Sequence, residues 1–267
     1  MDFITVIILS IIEGVTEFLP ISSTGHLILT SHLLNLTQTD FLKTFEISIQ
    51  LGAILSVGVV YWRELLVKLD ILKKVLFAFL PTGVFGLAFY KIVKTYLMGN
   101  NLVVLWSLLL GGIFLIVFEY FYSKDAPLFR RTFKCTLKRT HRLEDITYKQ
   151  AFKIGLFQSI AMIPGVSRSA STIVGGLFLG LSRQTIVEFS FLLAVPTMVA
   201  ATGLDLLKNY SSFESGQLGL LGLGLVVSFL VALASIKFLL VFIKKHTFVG
   251  FGVYRIVLAL LFLIFLY

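Results

Sequence analysis

Two apolar runs in this chain stop at a proline and pass directly into hydroxyl-bearing residues. The first covers about residues 3–18 and breaks at Leu19-Pro20, followed by Ile21, Ser22, Ser23, Thr24, Gly25 and His26. The second covers about residues 148–163 and breaks at Pro164, followed by Gly165, Val166, Ser167, Arg168, Ser169, Ala170, Ser171 and Thr172. A helix of about 16 residues rises roughly 24 Å, short of the roughly 30 Å hydrocarbon core of a bilayer. Proline lacks a backbone donor and disfavours helix at the residue before it, so each run must end there. Serine and threonine then cap a new short helix, expected to reach about Leu36 in the first case and Leu181 in the second. Helix, break and short helix make the pattern of a re-entrant hairpin, which membrane depth tolerates only where protein or water covers the bare backbone.

The rest of the chain supplies the membrane. With 57% hydrophobic and 14% charged residues and a mean hydropathy of +0.96, it lies far from the soluble norm of about 25% charged. Full-length spans are expected at about 43–62, 75–93, 102–122, 186–205, 217–243 and 250–267. Each hairpin is thus followed by three spans, which reads as an all-α polytopic membrane protein of six transmembrane helices plus two re-entrant helical hairpins. We expect a single integral membrane domain over 1–267, with repeat one at about 1–122, a basic cytoplasmic loop at 123–147 and repeat two at about 148–267. A hairpin plus three spans makes an odd number of crossings, so the second copy is inverted, and inverted repeats set their broken helices face to face near the midplane. Matching the prolines pairs Ser23 with Ser167, Glu46 with Glu188 and Ser48 with Ser190.

The basic residues orient this arrangement. Arg63, Lys68, Lys73, Lys74, Lys244 and Lys245 fall on one side, with Lys124, Arg130, Arg131, Lys134, Lys138, Arg139, Arg142 and Lys149 of the central segment; only Lys43, Lys91, Lys94 and Lys208 fall on the other. The richer side is cytoplasmic, and the net charge of +9 reads as topology and anionic-lipid contact rather than nucleic-acid binding. The start of the chain lacks the basic region and cleavage pattern of a removable signal peptide. The one cysteine, Cys135, excludes an intramolecular disulfide and a cysteine-based metal site. It is expected to be cytoplasmic, so an impermeant thiol reagent added to intact cells should leave it unlabelled; labelling from outside would overturn the orientation.

The breaks carry chemistry that a span does not need. Glu13 and Glu17 are four apart and share a helix face, where ionisable groups cost roughly 2.5–3.5 kcal/mol each and usually face a cavity. They are candidates for ligands of a hard divalent cation, Mg²⁺ or Ca²⁺, or for a general base. Ser22, Ser23 and Thr24 stand where a half-helix begins, so hydroxyls, free amides and the positive helix end converge on one anion site. His26 lies on the first turn of that helix as a candidate acid/base. Arg168, set between Ser167 and Ser169 after the second break, offers a planar fork of donors to phosphate oxygens. Glu46, Gln50, Glu188 and Arg255 are secondary candidates. Together these groups describe phosphate recognition with hydrolysis, and no nucleotide-binding P-loop pattern occurs in the chain.

At these residues the chain resembles the bacterial undecaprenyl-diphosphate phosphatase (bacitracin-resistance) family over essentially its whole length. The resemblance rests on the stretch from Glu13 to His26 paired with that from Pro164 to Thr172. It implies hydrolysis of the C55 polyprenyl diphosphate carrier to its monophosphate in the bacterial cytoplasmic membrane, which recycles the carrier for peptidoglycan and other envelope polymers and confers bacitracin resistance. It further implies a divalent cation on Glu13 and Glu17, a site opening to the outer face, and Glu17, Ser23, His26 and Arg168 as catalytic residues. Ser22, Thr24, Ser167, Ser169 and Thr172 are expected to bind substrate, with Ser23 either attacking or holding phosphate. Membrane lipids are expected partners, a homodimer is allowed, and the alternative is a lipid-carrier flippase or secondary transporter built on the same inverted repeats.

Overall fold

The computed structural model describes residues 1–37, 39–97, 100–123, 140–209 and 218–266; Cys135 and most of the basic central segment lie outside them. Helix α1 (Phe3–Thr16) is capped by Asp2, whose carboxylate accepts from the Thr5 amide. It is followed by α2 (Ser23–Leu33), α3 (Asp40–Val60), the short α4 (Trp62–Leu66), α5 (Leu69–Ile92) and α6 (Asn101–Ser123). The second half holds α7 (Tyr148–Ser159), α8 (Arg168–Phe178), α9 (Arg183–Asn209), α10 (Leu218–Phe242) and α11 (Val249–Leu266). A capping box between Thr147 and Gln150 starts α7, each side chain satisfying an amide the other end leaves open.

Among the described residues, five helices are long and apolar enough to cross a membrane: Phe41–Val60, Leu69–Ile92, Asn101–Tyr122, Arg183–Gly203 and Leu218–Phe242. The sixth expected span is present as α11, an apolar helix of 18 residues, which rises about 27 Å. Helix α5 begins six residues earlier than the hydropathy suggested, so Lys73 and Lys74 lie in its first turns rather than in a loop. Lys74 is buried there because its ammonium is satisfied by the Asp70 carboxylate at 2.5 Å and the Glu144 carbonyl at 2.6 Å.

The pairing of helices is largely unchanged when the two halves are exchanged. Helix α1 packs on α10 as α7 packs on α5, α10 packs on α3 as α5 packs on α9, and α1 meets α2 as α7 meets α8. The self-paired contacts α3 with α9 and α6 with α11 complete the set. Even the closest approaches match. A Cβ on Gly14 would stand 2.7 Å from the Ser228 carbonyl of α10, and one on Gly155 would collide with the Ala78 carbonyl of α5. Helix packing without a hydrophobic driving force depends on such small residues. Gly155→Ala should therefore part α5 from α7 and cost about 1–3 kcal/mol, the usual toll of overpacking. Thermal unfolding in detergent checks this, and an unchanged midpoint would show that the contact is soft.

Candidate active site

Both breaks solve the same backbone problem in the same way. Ser22 caps α2 with φ 71° and ψ 96°, and Ser167 caps α8 with φ 78° and ψ 115°. Their hydroxyls accept from the amides of Gly25 at 3.4 Å and Ala170 at 3.2 Å. A positive φ is uncommon for a residue with a side chain, costs about 1–3 kcal/mol and clusters at functional sites. This pair corrects the register read from the prolines. The counterpart of Ser167 is Ser22, not Ser23, which makes Ser23 and Arg168 equivalent as the first residues of the two half-helices.

Those two residues meet at Glu17. The Ser23 hydroxyl donates to Glu17 Oε2 at 2.6 Å, and Arg168 Nη2 donates to Glu17 Oε1 at 2.8 Å. Arg168 is held from behind by the Ser190 carbonyl, 2.9 Å from Nη1, and its guanidinium lies 5.8 Å over the ring of Phe18. Its Nε, also buried, makes no hydrogen bond to a described residue. The pair is largely sequestered, with side-chain exposures of 6% for Glu17 and 13% for Arg168, so one carboxylate orients both a hydroxyl and a cation. All three residues line a cavity of about 350 Å³, together with Ser22, Thr24 and Ser167. The volume suits a small polar group with part of a chain attached.

Glu13 is placed one turn before Glu17 and is fully buried, and neither of its oxygens accepts a hydrogen bond from a described residue. The charged groups acting on it are Glu17, Glu46 and Arg168. A buried carboxylate without a donor is costly, and a cation would satisfy it. Among the described residues no three His, Cys, Asp or Glu side chains gather as a metal cluster. Mg²⁺ is usually held by one or two carboxylates, with phosphate oxygens and water completing its shell. Glu13 and Glu17 therefore suit a divalent cation that substrate helps to hold.

The remaining expected site residues divide. His26 turns away from Ser23: Nδ1 lies 2.7 Å from the Ser22 carbonyl and Nε2 lies 2.7 Å from the Tyr254 hydroxyl on α11, with the two rings parallel. A carbonyl only accepts, so Nδ1 carries hydrogen, and the Nε2 lone pair of a neutral ring accepts a hydrogen bond from the tyrosine hydroxyl. It is Glu17, not His26, that contacts the Ser23 hydroxyl. Ser169 donates to the Phe18 carbonyl at 2.8 Å, tying one break to the other, and Thr172 shares a 2.6 Å bond with Ser190. Both are buried and neither lines the cavity: the Ser169 hydroxyl joins the two halves, and the Thr172 hydroxyl ties α8 to α9 within the second half. Glu188 is bonded to Gln184 and feels Glu64, Glu144 and Lys244, so it sits with the loop charges and is no partner to Glu46 at the site.

The far wall of the cavity was not foreseen. Gln158, three residues after Gly155 as Glu17 is three after Gly14, donates from Nε2 to the hydroxyls of Thr82 and Thr197, each at 2.9 Å. All three residues line the cavity. Each threonine directly follows a proline inside a long helix, Pro81 in α5 and Pro196 in α9. A Pro-Thr dipeptide occurring twice within apolar spans was the available signal, since proline there marks a span interrupted for a reason. Gln50 is a lining residue as well.

The chain is similar to known proteins over its whole length. The family described as bacitracin resistance protein BacA matches residues 6–261. A protein of Wolinella succinogenes named undecaprenyl-diphosphatase is 50% identical over 266 residues, covering 100% of this chain and 99% of its own. Proteins of the same name from Aquifex aeolicus and Bdellovibrio bacteriovorus are 48% and 47% identical, over 96% and 100% of this chain and 95% and 97% of their own. With the match running through both breaks and every span between them, the chain belongs to the BacA bacitracin resistance family.

Proposed function

We propose that this protein hydrolyses undecaprenyl diphosphate to the monophosphate and inorganic phosphate, using the cavity between the two breaks. The observation that carries this reading is the Glu17 carboxylate, bonded at once to a serine hydroxyl and to an arginine at the cavity wall. The relatives named undecaprenyl-diphosphatase support it. Apolar lining residues such as Val93, Ala161 and Met198 give the first carbons of an isoprenoid chain an apolar exit.

Glu17 draws the proton from the Ser23 hydroxyl as its oxygen attacks the terminal phosphorus. The new O–P bond forms as the anhydride P–O bond breaks, and the lipid monophosphate departs. Water then attacks the phosphoserine phosphorus as the Ser23 O–P bond breaks; Ser23 takes back the proton held by Glu17, the water's proton passes to His26, and inorganic phosphate leaves. Arg168 holds the phosphate oxygens and meets the charge that builds on them, the largest single contribution such sites usually make. Ser22, Thr24 and Ser167 add hydroxyls at the two helix N-termini, where anions are favoured. His26 is the second proton-transfer group. To serve, its Nε2 exchanges the Tyr254 hydroxyl for substrate or water, and His26→Ala should cost at least about 100-fold in turnover. A purified, folded His26→Ala protein working at a tenth of normal or better would reduce the ring to a structural support.

Glu13 and Glu17 would hold a divalent cation, which supplies a Lewis acid for the phosphate oxygens when bound. Two neighbouring carboxylates repel each other and the incoming diphosphate, and Arg168 alone is too little positive charge to balance them. Chelation should abolish phosphate release and added Mg²⁺ or Ca²⁺ restore it; full activity in a preparation shown by elemental analysis to be metal-free removes the metal from the account. The domain is two inverted repeats, at about 1–122 and 148–267, in the cytoplasmic membrane with the cavity opening outward. Phosphate release in detergent, where no gradient exists, separates hydrolysis from transport by the same architecture.

A further inference from the structure

The last helix holds an arginine that the reaction does not use. Arg255 is completely buried and is bonded to backbone carbonyls: Nη1 to Val166 at 2.9 Å, Nη2 to Gly165 at 2.9 Å and to Ser107 at 2.8 Å, and Nε to Leu108 at 3.4 Å. A guanidinium kept inside a membrane protein by neutral carbonyls is expensive to retain for packing alone. Room is made for it, since a Cβ on Gly111 would overlap Arg255 Nη2.

Two of its acceptors lie in the second break, directly before the strained cap. The Val166 carbonyl belongs to the peptide plane that ends in the Ser167 nitrogen, so fixing that oxygen restricts rotation about the Ser167 φ bond, which sits at 78°. Gly165 precedes it at φ 91°. Glycine takes such a φ readily, whereas at Ser167 it is unfavourable for a free chain, and the fork of Arg255 binds the two carbonyls that the turn exposes. Ser167 in turn starts α8, and Arg168 is that helix's first residue.

We infer that Arg255 is a positioning residue: by clamping the Gly165 and Val166 carbonyls it holds the strained start of α8 and so aims Arg168 at Glu17 and the substrate phosphate. The inference rests on the phosphatase reading of the cavity. Lysine keeps the charge but has a single nitrogen and no planar fork, so it cannot serve carbonyls on both the break and α6.

The test is a double-mutant cycle on purified protein in detergent, reading kcat/KM for undecaprenyl diphosphate with thermal unfolding alongside. Arg255→Lys should lower kcat/KM at least tenfold. In an Arg168→Lys background the same change should cost less than about twofold, because an effect passing through Arg168 has nothing further to lose; independent residues would multiply their losses. Gly111→Ala, which crowds the guanidinium without replacing it, should reproduce the pattern and stands in if Arg255→Lys does not fold. Multiplicative losses in the double variant, or a folded Arg255→Lys protein with normal kcat/KM, overturn the inference. Wild-type protein that releases no phosphate overturns the phosphatase reading instead, so the two failures are distinct.

Discussion

Glu17→Gln should lower turnover by about 10²–10⁴-fold, the range that a lost general base produces, and should do so with little change in shape. Glutamine can still accept the Ser23 hydrogen bond that Glu17 Oε2 accepts at 2.6 Å, but it cannot take the proton away. It also strips Arg168 of its counter-charge at the 2.8 Å contact, and an uncompensated charge in a nearly buried position is destabilising. In chelator, where no cation is lost with the carboxylate, the substrate phosphate can replace that charge, so Glu17→Gln should bind phosphate-bearing lipid at least as well as wild type while failing to turn it over. Single-turnover kinetics with a separate binding measurement check this. A Glu17→Gln protein that loses lipid binding in chelator in step with turnover would make the carboxylate a substrate-positioning group rather than a base.

Arg168→Lys should cost about 10²–10³-fold in turnover, the loss seen when one preorganised donor is removed from a site that stabilises developing charge. Charge is conserved in this change, and geometry is not. In the native site, Nη1 is spent on the Ser190 carbonyl and Nη2 on Glu17, so two edges of one rigid plane are fixed and the guanidinium is aimed before substrate arrives. An ammonium can meet one of these partners, and the orientation is lost. Because the contact strengthens in the transition state, turnover should fall along with kcat/KM. Near-normal turnover in a folded Arg168→Lys protein would move the arginine out of the reaction.

Much of this arrangement is legible in the sequence because it follows from local chemistry. Helices α1 and α7 end at Thr16 and Ser159, shortly before Pro20 and Pro164 bar their continuation, serines start the next helices, and runs of apolar residues fix the spans. Glu17, Ser23 and Arg168 stand out because charge and hydroxyls at membrane depth need a reason. The errors arose where position depends on packing between distant segments. The one-residue slip that paired Ser23 with Ser167 came from counting along the chain, whereas the φ of Ser22 and Ser167 shows which caps correspond. Ser169 and Thr172 stand close to Arg168 along the chain, but their hydroxyls are engaged by Phe18 of the first break and Ser190 of α9, contacts that spacing along α8 does not announce. Tyr254 lies 228 residues from His26 and meets it only because α11 packs beside α2. Gln158 joins Thr82 and Thr197 through three separate helices, and no spacing along one of them could announce the group.

The most direct measurement is phosphate release from undecaprenyl diphosphate by the purified wild-type protein in detergent with Mg²⁺ or Ca²⁺, set beside Ser23→Ala under the same conditions. We expect multiple turnovers by the wild type, one inorganic phosphate per lipid consumed, and a loss of at least about 100-fold in Ser23→Ala, whose remaining Glu17 has no hydroxyl to deprotonate. A wild type that binds the lipid diphosphate yet releases no phosphate, or a folded Ser23→Ala protein that releases it at the wild-type rate, would contradict the account.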